Sequence, residues 1–157
     1  MTKHKNTAPA KKHRAERAAV LTKTERADVH RGESRGVYYR NVMVGKVSSR
    51  PTLYTYNINR PVDLTEDRTL RHPFLVSHLI ALTVIDSDNP VYIRACVTAD
   101  DAFHEGELDY DLSASPSETF LDVLRVLVKD RIGSVNKSAV EMYRKNAHIK
   151  ISPETVS

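Results

Sequence analysis

The sequence has a single cysteine and no long apolar run, and each shortage excludes a class of protein. Cys96 alone cannot form a disulfide within the chain or build a cysteine-based zinc site, which is typical of a reducing compartment. The longest largely apolar run, residues 73–85, is shorter than the roughly 20 residues of a membrane-spanning helix. The basic N-terminus has no apolar core behind it, so no signal peptide is predicted. We expect a cytoplasmic protein, or a virion protein if it is viral, with no membrane partner.

Motifs that would mark an enzyme are also missing. The sequence contains no glycine-rich phosphate loop, no GxSxG, no HExxH and no CxxC. Its seven histidines are scattered, and none has a second ligand at metal-binding spacing. We therefore predict a protein that is not an enzyme and uses no cofactor, metal ion or small-molecule substrate.

Positive charge is concentrated in the N-terminal part of the chain. Residues 1–61 contain 14 Lys or Arg against 4 Asp or Glu, whereas residues 62–157 contain 10 against 16. Such asymmetry is typical of a protein that binds nucleic acid or another anionic surface with its basic end. The alternative is a solvated charged tail without a partner.

Residues 1–35 predict a flexible basic arm that is disordered or becomes helical on a partner. They include ten Lys or Arg and no aromatic residue, so they offer little with which to build a core. Residues 10–29 are rich in Ala, Lys, Arg and Glu, which permits a helix, but an isolated helix of that length is marginal in water. We expect ten side chains of the arm to lie along the phosphates of RNA or single-stranded DNA: Lys3, Lys5, Lys11, Lys12, Arg14, Arg17, Lys23, Arg26, Arg31 and Arg35.

The chain that follows predicts an antiparallel sheet of about five strands. Residues 36–47 and 52–59 alternate and are rich in β-branched and aromatic residues, which favours a first hairpin. Residues 79–85 and 91–98, joined by the turn sequence DSDNP, predict a second hairpin, and residues 107–112 predict a fifth strand. Residues 64–70 predict one helical turn, and residues 148–152 a short additional strand.

The clearest helix signal is SPSETFLDVLRVLVKDRIG, residues 115–133. Ser115 is the predicted N-cap, Pro116 the first helical residue and Gly133 the stop, and Ser138 begins a shorter second helix. The apolar face of the long helix is wider than one sheet requires, so we expect a second copy of the chain on its outer flank. The predicted oligomer interface consists of Phe120, Leu121, Leu124, Leu127 and Val128.

Aromatic and basic residues are interleaved in the first hairpin, and residues 36–61 include no acidic residue. Rings on a basic sheet face are what unpaired bases stack on. The alternative is that the tyrosines are half-buried at a sheet edge. The predicted contact residues are Tyr38, Arg40, Lys46, Arg50, Tyr54, Tyr56 and Arg60, with Tyr92 and Arg94 extending the surface.

Residues 100–111 contain six carboxylates and no Lys or Arg, and three interpretations stay open. Asp109 and Asp111 share a divalent cation with Asp86, Asp88 or Asp100, as in a metal-dependent nuclease. Alternatively, carboxylates that include Asp100, Asp101, Asp109 and Asp111 accept the basic arm. In the third interpretation they form a solvated surface.

The predicted order of two hairpins, a strand and a helical pair, with ELDYDL running into SPSETFLDVLRVLVKD, resembles the layout of single-stranded RNA phage coat proteins over roughly residues 36–146. That resemblance implies a dimer with interleaved helices over a shared sheet that faces RNA. A basic, strand-rich domain with helices behind it also resembles Whirly-like and OB-like single-strand binding modules.

These observations predict an α+β protein with an arm (1–35), a single domain (36–152) and a tail (153–157). The predicted function is non-enzymatic binding of RNA or single-stranded DNA by a homo-oligomer, a dimer or larger. The alternatives are a viral or phage coat protein that packages nucleic acid and a ribosome- or ribonucleoprotein-associated protein.

Overall fold

A computed structural model of the chain describes residues 20–110 and 113–156, and these residues form an α+β fold. The strands are β1 (Val20–Lys23), β2 (Ala27–His30), β3 (Val37–Tyr39), β4 (Val42–Gly45) and β5 (Thr55–Ile58). The helices are α1 (Pro73–Asp86), α2 (Pro90–Val97), α3 (Glu118–Lys129) and α4 (Lys137–Val156), and a 3-10 turn (His104–Glu107) separates α2 from α3. No helix in the described ranges combines the length and apolarity needed to cross a membrane.

The sheet is mixed, so the prediction of a purely antiparallel sheet is wrong. Its strand order is β1-β2-β5-β3-β4, and β3 and β5 run parallel, with Tyr38 opposite Asn57 and Tyr39 opposite Ile58. The remaining pairs are antiparallel. β5 inserts between β2 and β3 instead of pairing with its neighbour in sequence, β4. Alternation within a strand predicts its faces, but it does not specify the partner strand.

Part of the predicted arm belongs to the sheet. β1 and β2 pair antiparallel, and Ala27 and Val29 of β2 are fully buried. The low aliphatic content of the first 35 residues suggested that none of them would contribute to a core. Two small apolar residues alternating with Asp28 are nevertheless enough to bury one face of a four-residue strand. Residues 1–19, which hold six of the predicted arm cations, lie outside the described residues.

The predicted second hairpin is a pair of helices. The Asn89 side chain accepts hydrogen bonds from the backbone N–H groups of Val91 (3.0 Å) and Tyr92 (3.1 Å), so Asn89 and Pro90 begin α2 instead of closing a turn. α1 buries residues on several sides, among them Ile80 and Ile85, which lie on different faces of the helix. A helix buried on several sides has no polar stripe from which a helical period can be read. Without that stripe, the β-branched content of residues 79–98 suggested strands.

The long predicted helix is present as α3, with shifted ends. The Ser117 hydroxyl accepts from the N–H of Phe120 (3.0 Å) and donates to the carbonyl of Ser87 (2.7 Å), so Ser117 is the N-cap and also ties α3 to the end of α1. That attachment places the helix start after the predicted cap, Ser115. At the other end, Arg131 (φ 56°) takes the left-handed conformation that was predicted for Gly133.

Three smaller predictions also differ from the structure. Residues 107–110 form the end of the 3-10 turn and an irregular segment in place of a strand, and Asp111 and Leu112 lie outside the described residues. Residues 64–70 form a turn closed by a bridge between Leu64 and Leu70. α4 begins one residue before Ser138 and continues through residues 148–152. With the second hairpin and fifth strand absent from the described chain, its layout differs from the coat-protein order that the sequence suggested.

The sheet buries one face against the helices. The inner-face side chains are Ala27, Val29, Val37, Val44, Tyr56 and Ile58, each at most 3% exposed. α1 packs on β2, and α3 packs between α2 and α4. The strand register puts a row of side chains on the other face, in the order Lys23, Asp28, Asn57, Tyr38 and Met43. Because these side chains are exposed or partly exposed, the second face of the sheet is available for contact.

Candidate functional site

Exposed cations from two connections meet at one end of the sheet. β2 and β4 run opposite to β3. The ends of β2 and β4 therefore lie at the same end of the sheet as the start of β3. Arg31 follows β2, Arg35 precedes β3 and Lys46 follows β4; we call these three residues the basic end. All three are exposed, and none forms an ion pair with the described residues. Glu33 is an exposed carboxylate in the same connection as the two arginines.

The chain N-terminal to β1 joins the fold at this same end. Val20 pairs with His30, the last residue of β2, so β1 begins where the basic end lies. Residues 1–19 carry six Lys or Arg and one Glu, and they are covalently attached at this point. Residues 1–19 are therefore attached to the fold at the basic end.

Two tyrosines have accessible surface near the predicted contact region. Tyr38 is partly exposed on the outer face of the sheet. Tyr54 is half-buried just before β5, with its ring edge-on to that of Tyr92 at a centroid distance of 5.1 Å. Burial raises the pKa of the Tyr54 phenol, and Cys96 and Glu105 add to the shift while nearby Arg31 opposes it. Tyr54 thus lies within the electrostatic influence of the basic end.

The prediction that Tyr56 and Tyr92 contact bases is wrong for this fold. Both are 0% exposed. The Tyr56 hydroxyl donates to Oε2 of Glu105 (2.8 Å), and the Tyr92 hydroxyl donates to that of Tyr56 (3.0 Å). Tyr56 lies on the inner face of the sheet and Tyr92 on the inner side of α2. Both rings are part of the hydrophobic core. Arg94 is exposed, but it lies on α2 and does not extend a sheet face.

Three predicted contact arginines are held by carboxylates. Arg26 forms an ion pair with Asp86, and Arg50 forms one with Glu107. The Arg60 guanidinium lies 3.8 Å from the carboxylate of Glu25. These pairs lower the positive potential that each arginine offers to a phosphate.

Two further predicted cations, Lys23 and Arg40, are exposed at the end of the sheet opposite the basic end. The Arg40 guanidinium lies 5.1 Å from the centre of the Tyr39 ring, a cation–π contact. They are separated from the basic end by the length of the strands. A single patch therefore does not include all the cations that the sequence suggested.

Four of the five residues predicted as an oligomer interface belong to the core of the same chain. Phe120, Leu124 and Leu127 are 0% exposed and Leu121 is 4% exposed, while Val128 is partly buried. The wide apolar face is explained by packing on both α2 and α4. The exposed apolar residue of α3 is instead Val126.

The acidic segment shows no metal-binding arrangement in the part of the chain that is described. Asp100, Asp101 and Asp109 are exposed, and Oδ1 of Asp100 accepts from the N–H of Ala102 (2.8 Å). The described residues contain no group of three or more His, Cys, Asp or Glu placed to hold a metal ion. Asp111 falls outside those residues.

Sequence reasoning missed Glu105, the most unusual carboxylate of this segment. It is 0% exposed and accepts hydrogen bonds from the Leu53 N–H (2.8 and 3.1 Å to its two oxygens) and from the Tyr56 hydroxyl. Burial raises the pKa of Glu105, and these hydrogen bonds partly oppose the shift. The local sequence feature that could have indicated this tightly packed turn is the next residue, Gly106. A Cβ on Gly106 would lie 2.0 Å from the Asp100 carbonyl oxygen, so only glycine fits there.

Three further side chains, those of Cys96, Tyr110 and His104, are buried near Glu105. Burial raises the pKa of the Cys96 thiol well above its usual value, so the thiol stays protonated and weakly nucleophilic. The Tyr110 hydroxyl is also fully buried, and it has no hydrogen-bond partner among the described residues. His104 is 7% exposed, with Nε2 2.8 Å from the Ser77 hydroxyl and Nδ1 3.1 Å from that of Ser48. Burial lowers the pKa of His104, so a neutral ring joins α1 to the segment after β4.

A surface groove of about 660 Å³ lies beside the β1–β2 turn and the segment before α3. Glu25, Arg26, His78 and Asp86 line it together with three serines of residues 113–117. Burial raises the pKa of Asp86, and its ion-pair partner Arg26 opposes this shift. Charges of both signs line the groove, so it does not select a ligand of one charge.

Comparison with known proteins finds no matching family model, no similar curated protein and no similar solved structure.

Proposed function

We propose that the protein binds single-stranded nucleic acid, RNA or DNA, through residues 1–19 and the basic end, without catalysing a reaction. One observation carries the proposal. Residues 1–19, with six Lys or Arg, join the fold where Arg31, Arg35 and Lys46 are exposed and form no ion pair with any described residue. Nine cations are thus available to one polyanion.

The contacts expected at this surface are mainly with phosphates. Each Lys or Arg that neutralises a phosphate releases counterions, so binding weakens as the salt concentration rises. Tyr54 and Tyr38 are the tyrosines of the predicted set that retain accessible surface, and stacking on a base contributes about 1–3 kcal/mol. Because stacking tolerates every base, the binding should depend only weakly on sequence.

Fluorescence anisotropy with a labelled 20-nucleotide poly-U strand, measured at several salt concentrations, tests the proposal. For a single strand the slope of log K against log salt is about −0.7 per phosphate contact. Changing Arg31, Arg35 and Lys46 together to Gln should flatten the slope by about 2, and deleting residues 1–19 should flatten it by about 4.

A matched control changes three exposed cations outside the basic end to Gln: Lys23 at the opposite end of the sheet, and Lys129 and Lys137 on α3 and α4. This control removes the same net charge, so the proposal requires it to leave the slope nearly unchanged. If the control and the basic-end variant flatten the slope equally, binding reflects net charge and the assigned site is wrong. If the intact chain does not bind at low salt, the proposed function itself is wrong.

A further inference from the structure

An apolar groove of about 350 Å³ lies on the helical side of the molecule, between α2 and α3. We call it the α2–α3 groove; its lining residues are Pro90, Val91, Arg94, Asp122, Val123 and Val126. Val91 is 67% exposed and Val126 is 49% exposed, so two large aliphatic side chains on adjacent helices meet solvent together. Such a surface, apolar at its centre with charges at its margin, is typical of a protein interface.

We propose that a second copy of the chain docks on the α2–α3 groove in a two-fold symmetric dimer. The argument is charge complementarity of the groove with itself. Arg94 forms no ion pair with the described residues, and Asp122 pairs with Arg125 of its own helix at 2.9 Å, where both side chains are more than half exposed. A two-fold interface brings the same surface together twice, so it requires a patch that carries both partners of each contact.

The groove carries one cation and one carboxylate, and this matches a second copy better than a partner of one charge sign. In the proposed dimer, Arg94 of each protomer faces Asp122 of the partner protomer, and the valines of both copies are buried between them. A uniformly acidic or basic partner would leave one of the two charges opposite a like charge. The proposal does not depend on nucleic-acid binding, because the groove shares no residue with the basic end.

Analytical ultracentrifugation of the full chain without nucleic acid tests the dimer. The intact chain should sediment as a dimer at micromolar concentration. Val91→Asp combined with Val126→Asp places charge at the centre of the interface and should weaken dimerisation on the order of a hundredfold. Val42→Asp is the control, since Val42 is 59% exposed on β4 outside the groove, and it should leave dimerisation unchanged.

A charge exchange tests the two-fold arrangement. Arg94→Glu and Asp122→Arg should each weaken self-association about tenfold, because every homodimer then has two like-charge contacts. Mixing the two variants should restore the dimer, since each of its two contacts then joins opposite charges. Both positions are exposed on helices, so the variants should fold. Circular dichroism of each variant is the check on this.

The outcomes separate the occupants of the groove. An intact chain that stays monomeric at 100 micromolar (about twentyfold above an affinity of a few micromolar) overturns the proposal, and the groove then belongs to another protein or to none. A dimer that is insensitive to the two aspartate substitutions uses a different surface. A mixture that does not regain the dimer excludes the two-fold pairing of Arg94 with Asp122.

Discussion

Replacing Glu105 with alanine should destabilise the protein strongly, although the side chain never reaches the surface. Glu105 is the acceptor for two donors, the Leu53 N–H and the Tyr56 hydroxyl at 2.8 Å each. Tyr92 donates in turn to the Tyr56 oxygen at 3.0 Å. The carboxylate therefore joins the segment before β5 to β5 itself, and through the Tyr56 hydroxyl it is linked to α2. Its removal breaks the first two contacts at one point.

The size of the effect follows from the donors that lose their acceptor. An unsatisfied buried donor costs about 1–3 kcal/mol, so two of them cost about 2–6 kcal/mol. Removing a buried negative charge recovers part of this, because the desolvation penalty of the charge disappears. We expect a net loss of about 3 kcal/mol, which for a domain of this size lowers the melting temperature by roughly 10 °C.

Glu105→Gln separates the acceptor from the charge. The amide oxygen still accepts, while the group no longer ionises. Burial raises the folded-state pKa of Glu105 above its unfolded value, so the folded state binds this proton more tightly than the unfolded state does. The stability of the natural protein relative to Glu105→Gln should therefore be greatest below the unfolded pKa and should fall as the pH rises through the folded pKa. His104 and Asp86, whose pKa values are also shifted, are present in both proteins and cancel in the difference.

Urea unfolding followed by circular dichroism at pH 4, 5, 6 and 7 measures both effects. A Glu105→Ala loss below about 1 kcal/mol would mean that solvent replaces the missing acceptor and that the site is not closed. A difference between the natural protein and Glu105→Gln that stays constant over this pH range would refute the raised pKa. A difference that grows in favour of the natural protein with rising pH would mean that folding lowers the pKa of Glu105 instead of raising it.

Two further substitutions test how the fold holds these elements. Gly106→Ala should lower the free energy of unfolding by at least about 3 kcal/mol or prevent folding, because the new Cβ would lie 2.0 Å from the backbone oxygen of Asp100, which cannot move aside as a flexible side chain could. Thermal unfolding measures this loss, and near-normal stability would show that the turn can rearrange. Ser117→Ala should cost about 1–2 kcal/mol, since it removes both the cap of α3 and the bond to the Ser87 carbonyl. Ser115→Ala, two residues earlier and exposed, is its control and should cost less than about 0.5 kcal/mol.

The helix α3 was predictable because its signals are local. A capping serine, an adjacent proline and a helical apolar period all occur within residues 115–133. The sheet was less predictable because its pairing is not local. β5 takes its place between β2 and β3, and no pattern within residues 52–59 names those neighbours. α1 and α2 were mistaken for strands because buried helices lack the polar stripe on which the helical period depends.

Tyr54, just before β5, and Tyr56, within it, show why residues grouped correctly on one face can still be assigned to the wrong side of the sheet. Alternation placed Tyr54, Tyr56 and Ile58 on one face, and Tyr56 and Ile58 are indeed buried together. Aromatic rings suggested that this face meets nucleic acid, whereas Ile58 on the same face favoured the core. An isoleucine has no polar group to leave in water, so it is the better guide to the side that is buried.

Counting charges along the sequence overestimates the positive surface, because the count does not show which cations the fold pairs with carboxylates. Arg26 and Arg50 were counted as free cations, yet Asp86 and Glu107, 60 and 57 positions later, pair with them. The fold brings acidic residues of the second half of the chain onto basic residues of the first half, and no local pattern reveals this. Arg31, Arg35 and Lys46 remain exposed cations, because no carboxylate of the described residues lies within ion-pair distance of them. A polyanion that binds this protein should therefore depend on these three side chains more than on the paired arginines, and Arg50→Gln should alter the salt slope less than Arg35→Gln does.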